Sequence, residues 1–204
     1  MQAKTRLDDI LARLRATEKE LEQELDKLLD SKREQFNYSL KRGKVVFEQG
    51  VRLWQRQQRT ALWIYLAKAP LAYILTAPVI YGMIVPMLIL DLSTTIYQHI
   101  CFRIYRIPRV NRSAYMVIDR HHLAYLNAIE KFNCLYCGYG NGLIAYTREV
   151  VARTEQYWCP IKHAQRILDP HSREQRFIDY GDSSLWHQKL DKMRQDLVQE
   201  SKAK

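Results

Sequence analysis

Apolar residues in the first 35 positions fall at heptad spacing: Leu7, Leu14, Leu21 and Leu28 recur every seven residues, with Leu11 and Leu25 between them. Lys, Arg, Asp and Glu of both signs fill the other positions. This pattern predicts an amphipathic helix from about Thr5 to Gln35, with a leucine seam suited to a partner helix or a second copy in a coiled coil. Glu18 interrupts the seam. A stripe of about three heptads is marginal for an isolated helix, so the helix is expected to pack against something.

From Ala61 to Phe102 the pattern changes abruptly: this 42-residue stretch carries two charges, Lys68 and Asp91. Its centre, Ala69 to Leu90, has no charge over 22 residues. At about 1.5 Å per residue that is enough to cross a hydrocarbon core of about 30 Å. Membrane insertion is the expectation. A cleaved signal peptide does not fit an internal segment that follows a charged helix.

Both flanks of the segment are basic, with Arg52, Arg56, Arg59 and Lys68 before it and Arg103, Arg106, Arg109 and Arg112 after it. An excess of Lys and Arg normally marks the one cytoplasmic side. Two insertions therefore compete. A hairpin or re-entrant segment turning near Gly82 and Pro86 keeps both ends cytoplasmic, and the whole stretch as helix, about 63 Å, suffices for two crossings. A single span of residues 69–90 is the other. The apolar run Gly82-Met83-Ile84-Val85-Pro86 is a poor turn for water, which favours a re-entrant path.

Composition changes this picture little. A net charge of +10 with 26% charged residues and a mean hydropathy of -0.38 describe an ordinary basic soluble protein, because the average hides the apolar segment between two polar arms. Seven Gly and six Pro exclude a collagen-like chain, and four Cys are too few for a disulfide scaffold. Arg103, Arg106, Arg109 and Arg112 recur every three residues among Ile104, Tyr105 and Ile107. That spacing suits contact with anionic lipid headgroups. The remaining basic residues are spread and carry no nucleic-acid motif, so lipid phosphate is favoured over nucleic acid.

Beyond Pro108 the sequence predicts a small helical domain, about Asn111 to Asp182. A helix from Ser113 to Phe132 leads into a loop, Asn133 to Gly142, and a second helix from Leu143 to Tyr157. The loop holds Cys134-x2-Cys137, and the end of the second helix holds Cys159-x3-His163. Three thiolates and an imidazole suit a closed tetrahedral Zn2+ site. The five residues Cys134 to Gly138 resemble the zinc knuckle of rubredoxin-like and zinc-ribbon modules, which implies metal ligation and no family-level function. A redox dithiol, an iron or iron-sulfur site and metal-free core cysteines are the alternatives. His171, His121 and His122 are substitutes for His163 as fourth ligand, and Cys101 reads as an apolar filler.

Asp119 and His122 lie three apart on the predicted first helix, a possible second polar site in which a carboxylate orients an imidazole or both hold metal. Glu149 and Arg153 read as an exposed helix ion pair. No phosphate loop, nucleophile elbow or His-Glu-x-x-His motif occurs, so catalysis is unsupported. Residues 183–204 predict a final amphipathic helix with Trp186, Leu190, Met193 and Leu197 on its apolar side.

The expected architecture is mainly α. A charged amphipathic region (1–60) precedes a membrane-inserted segment (61–102), a Cys/His metal-binding helical domain (103–182) and a C-terminal amphipathic helix (183–204). The expected function is a zinc-stabilised scaffold or adaptor recruiting partners at the cytoplasmic membrane face. A membrane-bound metalloenzyme or electron-transfer subunit using iron is the alternative.

Overall fold

A computed structural model describes residues 2–41, 44–184 and 186–200; the side chains of residues 2–8 and of Leu11, Arg15 and Lys44 lie outside the described part. The chain is mainly helical and divides into two compact units, residues 1–61 with 121–127, and residues 62–120 with 128–204.

In the first unit, α1 (Gln2–Gln35) follows the leucine periodicity. Asn37 adopts a left-handed conformation, φ 51°, which turns the chain out of the helix. A short antiparallel hairpin follows, β1 (Tyr38–Lys41) with β2 (Lys44–Phe47), registering Tyr38 opposite Phe47 and Leu40 opposite Val45. The sequence pattern predicts only helix in this region, because four-residue strands give too short an alternation to stand out. Next comes α2 (Gln49–Gln57), whose buried Gln55 accepts a hydrogen bond from the Ala124 N–H at 3.1 Å. The seam residues Leu14, Leu21, Leu25 and Leu28 are all exposed, so within this unit nothing covers them. Leu7 and Leu11, expected on the same seam, fall among the undescribed side chains. Among the described residues of this unit no helix pairs with α1.

The second unit opens with α3 (Leu62–Lys68), α4 (Leu71–Gly82) and α5 (Ile84–Tyr97). A π-helical turn (Gln98–Phe102) and α6 (Arg103–Tyr105) continue α5. From Leu71 to Tyr105 the chain runs as one helix, long and apolar enough to cross a membrane. The reversal expected near Gly82 and Pro86 is not made. Met83 stays right-handed helical at φ -63°, ψ -12°, and the Met87 N–H bonds the Met83 carbonyl at 3.3 Å. Pro86 lies in the first turn of α5, where its missing N–H breaks little of the ladder. The helix ends where Arg106 turns left-handed, φ 59°.

The next segment also departs from expectation. Residues 107–127 form an irregular connector with two 3-10 turns, Arg112–Ala114 and Arg120–His122, in place of a helix from Ser113. Instead α7 (Ala128–Trp158) is one 31-residue helix that runs straight through the Gly-rich stretch read as a loop. These glycines serve close approach. A Cβ on Gly142 would stand 2.7 Å from the Tyr115 carbonyl oxygen, and one on Gly140 3.2 Å from the Met87 methyl. Small residues let the connector backbone and α5 press against α7, and that packing outweighs their poor helix propensity.

Hydrogen bonds from Tyr81 to Asn133, and between Thr94 and Thr147 and between Tyr97 and Thr154, show that the α4–α5 helix and α7 run side by side in the same direction. Their core is Phe102, Ile107, Val110, Leu143, Tyr146 and Val150, closed by Leu197. Gln98, 3% exposed, is fully used within it: its amide donates to Tyr146 Oη at 2.6 Å and accepts from the Val110 N–H at 3.0 Å. The C-terminal helix α8 (Trp186–Gln199) packs on α7 as its apolar stripe predicts, with Leu190 and Leu197 buried.

Candidate functional site

Two faces of the Leu71–Tyr105 helix differ in what they touch. The inner face, through Met87, Asp91, Thr94, Gln98 and Phe102, meets α7 and the connector. The outer face is apolar and open from end to end: Leu75 is 68% exposed, Val79 73% and Ile104 68%, with Ile89, Ile96 and Ile100 exposed between them. None of the most apolar 18-residue window of this helix is buried. Continuous apolar exposure on this scale marks an interaction surface on a folded chain.

Asp91 is the one acid on this helix, and the structure supplies its partners. Arg112 Nη2 stands 2.6 Å from one carboxylate oxygen and Nε 3.1 Å from the other, and Tyr139 Oη donates at 3.0 Å. A lone acid in an apolar helix signals a partner, yet sequence alone does not say which arginine. Of the four arginines assigned to lipid, Arg103, Arg106 and Arg109 are exposed, whereas Arg112 is committed to Asp91.

An apolar groove of about 900 Å3 opens between α3, α4 and the start of α7. Ile74, Ala77 and Ile80 form one wall and Ile129 and Phe132 the other, with Cys137 at the rim. Two of its hydroxyls are paired within the fold: Tyr81 Oη donates to Asn133 Oδ1 and Tyr136 Oη to the Ile80 carbonyl, both at 2.6 Å. Such a groove accepts apolar matter.

The expected metal ligands are not brought together. Cys134 and Cys137 lie on α7, with no knuckle turn between them, and Cys159 and His163 follow its far end. The continuous helix between Cys137 and Cys159 holds them about 33 Å apart, beyond any shared ion. Among the described residues no group of three or more His, Cys, Asp or Glu is placed to hold a metal, and all four cysteines are free thiols. Asp119 and His122 likewise lose their common helix face, since only Arg120–His122 is helical there, as a single 3-10 turn. Of the substitute ligands, His121 stacks on His122 with ring centroids 4.0 Å apart, and His171 Nε2 pairs with Glu155 at 2.8 Å.

Glu149 and Arg153 do form an ion pair at 2.8 Å, but a largely buried one. Arg173 joins it, 2.8 Å from Glu149 and 2.9 Å from Glu200, and also donates to Gln156 Oε1 at 2.6 Å. Burial pushes the Glu149 carboxyl up, and hydrogen bonds and charge from Arg173 and Arg153 outweigh it, holding the group below its ordinary value. Burial pulls the Arg173 guanidinium down, and its carboxylate partners more than restore it. The cluster ties α7, residues 171–176 and the end of α8 together. Sequence spacing showed one edge of it; Arg173 and Glu200, 24 and 51 positions from Glu149, carry no local signal.

No protein-family model, curated protein or solved structure matches the chain.

Proposed function

We propose that this chain is a membrane-anchored helical scaffold or adaptor. The apolar helix holds it on a bilayer with anionic headgroups, and α1 recruits a partner protein or a second copy at the cytoplasmic face. The open apolar face running from Leu75 to Ile104 carries the reading, because so long a surface needs an apolar environment to cover it. Exposed Arg103, Arg106 and Arg109 beside it supply the charge that anionic headgroups attract. The uncovered leucines of α1 supply a second surface of the helix-pairing type. Four free thiols suit a reducing compartment.

The test uses the full chain with phosphatidylcholine vesicles, with and without phosphatidylglycerol. Flotation with the anionic vesicles, and self-association or partner binding that Leu21→Glu with Leu28→Glu abolishes without reducing flotation, supports the reading. Protein that stays at the bottom of the gradient contradicts the anchor, and helical pairing indifferent to both substitutions contradicts the role of α1.

A further inference from the structure

We infer that the Leu71–Tyr105 helix does not cross the bilayer but lies along one leaflet, its outer face sunk among acyl chains and both ends on the same side. The inference rests on the membrane reading above and concerns how the contact is made.

Length is the first argument. This 35-residue helix is about 52 Å long, against about 30 Å of hydrocarbon. Its outer stripe stays apolar to Ile104, so an upright helix would leave about 20 Å of apolar stripe in water. A helix lying in the plane buries all of it.

What accompanies the helix is the second argument. The connector runs back along it: the Val110 N–H bonds Gln98, Arg112 pairs with Asp91, the Tyr115 carbonyl abuts Gly142 and the Val117 carbonyl lies against Gly138. Tyr81 and Ile80 meet Asn133 and Tyr136 near the start of α7, only a few residues beyond Glu130 and Lys131. Irregular backbone and charged side chains therefore flank the helix from Ile80 to Phe102, and lipid does not tolerate either. The stretch free of that flank, residues 71–79, is about 14 Å long, half of a crossing. The inner face belongs to the protein and the aqueous side, and the outer face alone is left for lipid.

Charge is the third. Lys68 before the helix, Arg103 in its last turn and Arg106 and Arg109 after it have no acid among them other than the paired Asp91. A crossing puts basic residues on both sides of the bilayer, against the usual one-sided excess; an in-plane helix sets both ends in one headgroup layer, where long basic side chains reach phosphate. The partner is thus a single anionic leaflet.

Nitroxide labels at Val79→Cys, Ile89→Cys and Ile100→Cys, in a chain whose four cysteines are replaced by serine and whose helical content is unchanged, measure depth in phosphatidylcholine–phosphatidylglycerol vesicles. The expected result is one similar, shallow depth at all three sites. Depth that passes through a maximum near Ile89 and falls on either side overturns the inference, whether the path is a span or a hairpin. Trypsin added outside sealed vesicles carrying the unaltered chain gives an independent reading. Cleavage both before Leu71 and after Tyr105 is expected, and protection of one set until detergent is added overturns it. Failure to float at all instead overturns the membrane reading, a distinguishable outcome.

Discussion

Arg112 closes a two-pronged ion pair on Asp91, at 2.6 and 3.1 Å, from 21 residues further along the chain. It fixes the irregular connector to the inner face of the apolar helix and neutralises the one acid there. Asp91 is 16% exposed and Arg112 44%, so the pair is neither fully buried nor freely solvated. Arg112→Ala is expected to destabilise the second unit by about 1–3 kcal/mol, between the values for surface and buried pairs. Replacing both residues together, Asp91→Leu with Arg112→Met, recovers most of that loss, because no charge is left stranded. Thermal melts of the two variants check this; equal losses contradict it.

The Glu149 cluster makes the α7–α8 junction acid-sensitive. The carboxyl sits below its ordinary value of 4.5 in the folded chain, so its contribution is complete above that value and drains away as pH falls through the lower folded one. Thermal melts from about pH 7 down to about pH 3 should show α8 loosening at the acid end. Glu149→Gln lowers stability at neutral pH and flattens the acid dependence. A variant as acid-sensitive as the parent removes Glu149 from the account.

Three glycines of α7 predict three different outcomes. Gly142→Ala drives a methyl into the Tyr115 carbonyl, 2.7 Å away, a backbone group that cannot swing aside; a cost of about 1–3 kcal/mol is expected. Gly140→Ala meets the flexible end of Met87 at 3.2 Å and costs less. Gly138→Ala has its nearest neighbour at 3.6 Å and is neutral or stabilising by up to about 1 kcal/mol through helix propensity. Denaturant midpoints of the three rank them, and a destabilised Gly138→Ala would contradict a continuous α7.

With Cys137 and Cys159 separated by a rigid helix, a chelator is expected to leave the melting temperature unchanged, and Cys134→Ser to leave zinc content unchanged. One equivalent of zinc lost together with the fold on chelation would show that the four residues meet in solution.

The helices were legible where one pattern ruled. The leucine seam of α1, the charge-free run from Ala69 to Leu90 and the Trp186–Leu197 stripe of α8 each named an element. The cysteine region misled because Asn, Gly and Cys are ambiguous at short range. They make turns in isolation, and here Gly140 and Gly142 make room for Met87 and the Tyr115 backbone. Whether a glycine bends a chain or admits a neighbour depends on what stands beside it, and residues 115–117 are distant in sequence from the face they pack on. The same holds for Arg173 and Glu200, whose meeting with Glu149 follows from the return of α8 along α7.

The central claim, that the outer face of the Leu71–Tyr105 helix is the membrane contact, is tested most directly by flotation of the full chain with anionic vesicles. Val79→Asp with Ile96→Asp places charge on that face alone and should reduce the floated fraction about ten-fold or more while the melting temperature holds. Undiminished flotation of this variant would contradict the account.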